Sequence, residues 1–145
     1  MMQCPDKFEE YSWHDNPIHG FRIIEKENCV GDLVLDIDYI TEWLCSEENG
    51  YNFRIAPADL VFEDITDLVI SLDYESCSAS MTPPSIHEIR CKSKIYSNGY
   101  KSFEWFIEIN WPSNCFIKFN SPKFKQALRK KPILSNDQVM NPNER

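Results

Sequence analysis

Nowhere among its 145 residues does the chain hold eighteen apolar positions together, which excludes a membrane-spanning helix. The opening stretch MMQCPDKFEEYSW lacks a positive leader and an apolar run, so no secretory signal and a cytoplasmic location are expected. The six cysteines are Cys4, Cys29, Cys45, Cys77, Cys91 and Cys115, and no two form Cys-x-x-Cys. That argues against a zinc knuckle or a thioredoxin-type site, and without export six reduced thiols are expected. No P-loop, Gly-x-Ser-x-Gly elbow, Rossmann fingerprint or Asp-x-Asp-x-Asp-Gly calcium loop is present. No repeat, low-complexity tract or linker divides the chain.

What is there belongs to an ordinary globular domain, 42% hydrophobic and 26% charged. A chain of this length hides roughly 68–70% of its unfolded surface, so neither metal nor disulfide is needed to hold it together. Aromatics make up 13% of the residues, which suits strands and large cores. The net charge of −8 repels phosphate backbones and anionic membranes, so neither nucleic acid nor membrane is expected as a partner. The same charge would draw a basic protein.

The clearest periodicity lies in DLVLDIDYITEWL. Leu33, Leu35, Ile37, Tyr39, Thr41 and Trp43 fall on one face, and Asp32, Val34, Asp36, Asp38, Ile40 and Glu42 on the other. Alternation of this kind predicts a half-buried strand with an acidic outer side. SEENG follows, with Asn49-Gly50 as a hairpin signal, and YNFRIAPADLVF returns with a bulge or edge position expected at Pro57. ITDLVISLDY, IHEIRCKSKIY, KSFEWFIEINW and CFIKFN supply further strands, with Asn98-Gly99 and Pro-Ser-Asn as turns. The expected fold is therefore mainly β, a meander of about seven antiparallel strands closed into a barrel or sandwich. One short C-terminal helix is expected in SPKFKQALRKKP, with Ser121 as N-cap, Pro122 in the first turn and Pro132 as the stop. Residues 1–134 read as one domain and 135–145 as a polar tail.

Two groups carry chemistry-bearing side chains. WHDNPIHG places His14, Asp15 and His19 close in sequence, but His-Asp-x-x-x-His matches no zincin spacing, and residues i and i+5 on extended chain face opposite ways. A turn or hinge is the better reading, with a metal site as the alternative. Asp36 and Asp38 leave the same side of their strand, and Asp73 and Glu108 would join them if their strands are neighbours. A solvent face is the plain reading and a docking face for a basic partner the functional one. In the basic cluster Lys123, Lys125, Arg129, Lys130 and Lys131, the last three sit where the dipole of the expected helix favours cations, so nucleic acid is not implied. His87, beside Glu88, reads as a packed or surface residue.

In order, WHDNPIHG, LVLDIDYITEW, RIAPADLVFEDITDLVI and FKQALRKKP with a closing Glu-Arg resemble a group of small bacterial single-domain proteins with no assigned activity. The resemblance rests chiefly on Trp13, His14, Asp15, His19, Gly20, Asp36, Asp38, Tyr39, Trp43, Pro57 and Phe62, and it implies no catalytic residues. The expectation that follows is a non-enzymatic binding module without a cofactor, of immunity type, that meets a basic partner through Asp36, Asp38, Asp73 and Glu108. The alternative is a small-molecule or metal-dependent enzyme centred on His14, Asp15 and His19.

Overall fold

Wherever apolar and polar residues alternate, the chain forms a strand. The computed structural model describes residues 4–46, 50–78 and 80–145. Its strands are β1 (Ile18–Glu25), β2 (Gly31–Ser46), β3 (Gly50–Glu63), β4 (Thr66–Ser71), β5 (Ser85–Ile95), β6 (Lys101–Trp111), β7 (Phe116–Ser121), β8 (Lys123–Leu128) and β9 (Ile133–Ser135). They pair antiparallel in two sheets. One runs β1-β2-β3-β8 with β9 also on β3, and the other runs β4-β7-β6-β5. This is a sandwich rather than a closed barrel, with β1–β3 and β5–β7 as its two meanders.

The inner faces meet through the alternating apolar set. Leu33, Leu35 and Ile37 of β2, Leu60 and Phe62 of β3, Trp105 and Ile107 of β6 and Ile117 of β7 are almost wholly buried. The Phe62 ring lies edge-on to Trp105 at 4.9 Å and to Phe119 at 4.6 Å. Such tilted pairs suit the quadrupoles of aromatic rings and fill the gap between sheets. The β5–β6 hairpin turns at Gly99, whose φ of 86° is left-handed, and the Tyr100 amide donates to Asn98 Oδ1. The Pro-Ser-Asn turn closes with Asn114 at φ 61°. The Asn49-Gly50 signal falls on 47–49, outside the described residues, although Gly50 itself has φ 70°.

Several sequence expectations need correction. The predicted helix is strand β8, paired with β3 from Ala58↔Leu128 to Glu63↔Lys123. Phe124 and Gln126 turn inward at period two, Gln126 accepting from Trp13 Nε1 at 2.8 Å, while Lys123 and Lys125 reach Glu63. The nine residues between Pro122 and Pro132 are too few for a stable helix on their own, and the open side of β3 offered six of them a ladder. Among the described residues no α-helix occurs, only 3-10 turns at Phe8–Glu10 and Pro142–Glu144. Pro57 does not lie at a bulge, but it does take a locally open position on one side of β3. It pairs with Asp38 inside β3, opposite the gap between β8 and β9, where no ladder bond is asked of it.

The bulge comes instead at Thr41, between the pairs Ile40↔Ile55 and Glu42↔Arg54. It moves Trp43 to the outer side, edge-on to Phe53 at 4.8 Å. There Ile40, Phe53 and Ile55 form a second cluster with Ile133 and Met140. The polar tail therefore docks, with Met140 buried in that cluster. Cys4 and Cys91 are joined by a disulfide, against the expectation of six reduced thiols. The N-terminal segment packs Phe8 on Trp13, Trp105 and Phe124, which lays Cys4 against the inward-facing Cys91 of β5.

Because Phe62 sits where both sheets meet, Phe62→Ala is expected to cost about 3–5 kcal/mol in denaturant unfolding. A loss under about 1 kcal/mol would mean that the sheets do not pack there.

Candidate functional site

The Trp13–Gly20 segment joins the two sheets. The Asp15 amide donates to the Ile86 carbonyl at 2.7 Å, Ile86 to Asn16 at 2.9 Å and Ile18 to Pro84 at 2.8 Å. A bridge between Pro17 and Ser85 completes this short ladder on β5 before the chain enters β1. Asp15 makes the turn at φ 64°, a conformation that aspartate tolerates better than most residues. His14 stays beside β5, where its Nδ1–H donates to the His87 carbonyl at 2.9 Å and its Nε2 lies 3.4 Å from Asp15. His19 crosses to the first sheet and places Nε2 2.5 Å from Asp38. The structure thus separates His19 from His14 and Asp15, and a metal site built on all three is not assembled.

Asp36 and Asp38 do share a face, but it is not a plain solvent face. Asp38 is completely buried, held by His19, by the Met140 amide at 2.8 Å and by Arg145 Nε at 2.7 Å. Asp36 stands directly across from Asp59 on β3, a like-charge pair that is unfavourable unless a cation bridges it. Arg129 supplies the bridge, 2.8 Å from Asp36 and 2.7 Å from Asp59, and Arg145 adds a two-pronged contact to Asp36. Burial by itself pushes the Asp36 carboxyl up, but the hydrogen bonds from Arg145 and Arg129 outweigh it and hold the group below the ordinary aspartate range. Burial also lowers the two guanidiniums, and the carboxylates more than restore them. Two arginines of this same chain thus occupy the site where an outside cation was expected. Arg129 directly follows strand β8, so the helix-dipole reading of the basic run does not hold.

Asp73 and Glu108 do not join this group. Asp73 follows β4 and caps a turn through the Glu75 amide at 2.9 Å. Glu108 lies on β6 in the other sheet and faces Glu88 of β5 in register. A register shift at His87 leaves that residue unpaired, and the burial pattern Ile86 in, His87 and Glu88 out, Ile89 in shows two consecutive side chains on the outer face. Glu88 and Glu108 share Arg90, at 3.2 and 3.5 Å, and the Arg90 guanidinium lies over the Phe106 ring at 4.9 Å. Sequence reasoning missed this cluster because the pairing Glu88↔Glu108 is non-local; the adjacent His87-Glu88 was its one visible sign.

The sheet edges differ sharply. The β5 edge carries Arg90, Lys92 and Lys94; the β8 edge carries Lys123 and Lys125; β4 is short and interrupted at Asp67, where φ is 56°. Charges, short strands and irregularities of this kind protect edges from further pairing. β1 carries the charges Arg22 and Glu25, but between them it also displays apolar side chains, and every residue of Phe21–Glu25 is exposed. Phe21 and Ile23 face the core side, in register with Leu35 and Leu33, yet remain 48% and 57% exposed. Ile24 adds a third apolar side chain at 41%.

No family model, curated protein or solved structure matches the chain.

Arg145→Ala leaves buried Asp38 with His19 and one amide, and a loss of about 3 kcal/mol is expected near neutral pH. The Asp36 part of this stability is fully present above the unfolded value of about 3.9 and fades as pH falls through the lower folded value. The stability gap between wild type and variant should therefore narrow by the Asp36 part as pH drops below about 4. A gap that stays constant into acid would disprove the coupling.

Proposed function

We propose that this protein is a non-enzymatic binding module that takes up an extended segment of a basic partner protein along the open side of β1. The observation that carries the reading is an edge strand that displays Phe21, Ile23 and Ile24 beside its open backbone side. An added strand would satisfy the free backbone groups of β1 and cover these side chains, which is how strand addition gains affinity and selectivity together. Alternate apolar residues in the incoming segment would meet Phe21 and Ile23. The excess of 23 acidic over 15 basic side chains favours a cationic segment and speeds its arrival at low salt.

This reading moves the recognition surface away from Asp36, Asp38, Asp73 and Glu108. The first two are engaged with Arg129 and Arg145, while Asp73 lies in the turn after β4 and Glu108 on β6 of the other sheet. A charged group already paired inside the fold has little to offer a partner.

The test uses a peptide array of extended sequences that alternate apolar and Lys/Arg residues, followed by amide hydrogen exchange on the best binder. Protection is expected at Phe21–Glu25. Phe21→Lys with Ile23→Lys is expected to weaken binding by at least about tenfold with the melting temperature nearly unchanged, since both positions are exposed. Protection along β5 or β8, or an undiminished affinity in the double variant, would sink the reading. Self-association through β1, seen by light scattering and abolished by the same variant, would replace the outside partner with a second copy.

A further inference from the structure

The outer face of β5 and β6 holds a group of metal-ligating atoms that neither fold stability nor edge recognition uses. His87, Glu88 and Glu108 each offer one ligand atom, and these atoms lie within 4.8 Å of one another. Among the described residues this is the one such group of three. The bulge at His87 brings it about, because a regular strand would send His87 and Glu88 to opposite faces. Glu88 and Glu108 then stand directly across the ladder, a repulsive arrangement that needs a cation between its members. His87 Nε2 lies 3.7 Å from the Glu108 carboxylate on the same face.

We propose that His87, Glu88 and Glu108 form a surface site for a divalent transition-metal ion of the zinc type. One imidazole with two carboxylates suits borderline ions such as Zn2+ and gives little advantage to Mg2+ or Ca2+. Three protein ligands leave a fourth position for water. Tetrahedral coordination needs ligand atoms roughly 3.4 Å apart, so the 4.8 Å spread closes with modest side-chain rotation on exposed residues. His14 steadies the site from behind, since its Nδ1–H holds the His87 carbonyl and its ring packs edge-on to the His87 ring at 5.4 Å.

Arg90 is the group that must yield. Its guanidinium lies 3.2 and 3.5 Å from the two carboxylates and over the Phe106 ring. The ring contact is independent of the carboxylates, so Arg90 can release them and keep its stacking. Arg90 therefore competes with the ion, and removing its charge strengthens binding. A purely structural salt-bridge cluster makes no such prediction.

The experiment is calorimetric titration of the full, tag-free chain with Zn2+, repeated with Co2+ and read by visible absorption. One ion per chain is expected. His87→Ala and Glu108→Gln are each expected to weaken binding at least about tenfold, and Arg90→Gln to tighten it about fivefold. The Co2+ spectrum should lack thiolate charge transfer. Four results each overturn the site: affinity unchanged in His87→Ala, loss with His19→Ala instead, a thiolate band from Cys29 or Cys45, or equal binding of Mg2+. Weaker binding in Arg90→Gln overturns the competition and with it the assignment.

Discussion

Contact between the two inner faces, centred on Phe62 against Trp105 and Phe119, is the interaction from which the rest of the architecture follows. A sheet with one apolar face is stable in water only when that face is covered. Once β2–β3 and β6–β7 close on each other, every other element is placed by what remains uncovered. The N-terminal segment lays Phe8 and Tyr11 over the Trp13 and Phe124 rings at one side. β8 completes β3, and the Asp15–Ile18 corner ties the sheets together where the chain passes from one to the other.

The outer faces are governed by a different constraint. Twice, carboxylates stand directly across a ladder, Asp36 with Asp59 and Glu88 with Glu108. Each pair is made tolerable by an arginine, Arg129 in one case and Arg90 in the other. The two differ in depth. The first is continuous with buried Asp38 and Arg145, where losing one charge strands another away from water. The second lies open, where exchange of one cation for another is cheap because water screens every group. The first network therefore acts in stability, and the second is free to act in binding.

A functional surface must differ from the bulk of the protein in some physical respect, and among the described residues β1 and the β5–β6 face both do. Along β1 the apolar face runs on past the cover of the opposite sheet, leaving large side chains beside unsatisfied backbone. Over β5 and β6 a bulge turns two consecutive polar residues to one side. Neither resembles a catalytic cleft. The depression near Phe8 and β5–β6 that includes Lys92, Lys94 and Glu104 has those three charges paired with one another.

How much of this was legible beforehand depends on whether a feature is local. Period-two alternation marked β2, β3, β5 and β6 and selected Leu33, Leu35, Ile37, Phe62 and Trp105 for the core. Asn98-Gly99 marked its own hairpin, because a left-handed turn depends on the residues in it. The turn in WHDNPIHG was legible for the same reason, with Asp15 at φ 64°. Opposed to these are Phe124, in a stripe spaced like a helix yet lying in a strand, and Trp43, carried to the outer face by a bulge at Thr41. Asp38 looked like a surface acid until Arg145, 107 positions away, closed over it. By itself the sequence determined alternation, turns and charge, since these are properties of neighbours along the chain. Only the tertiary structure decided which strand completes β3, where the ladders slip, and which carboxylate meets which arginine. Those outcomes are set by groups that approach each other after distant segments have packed.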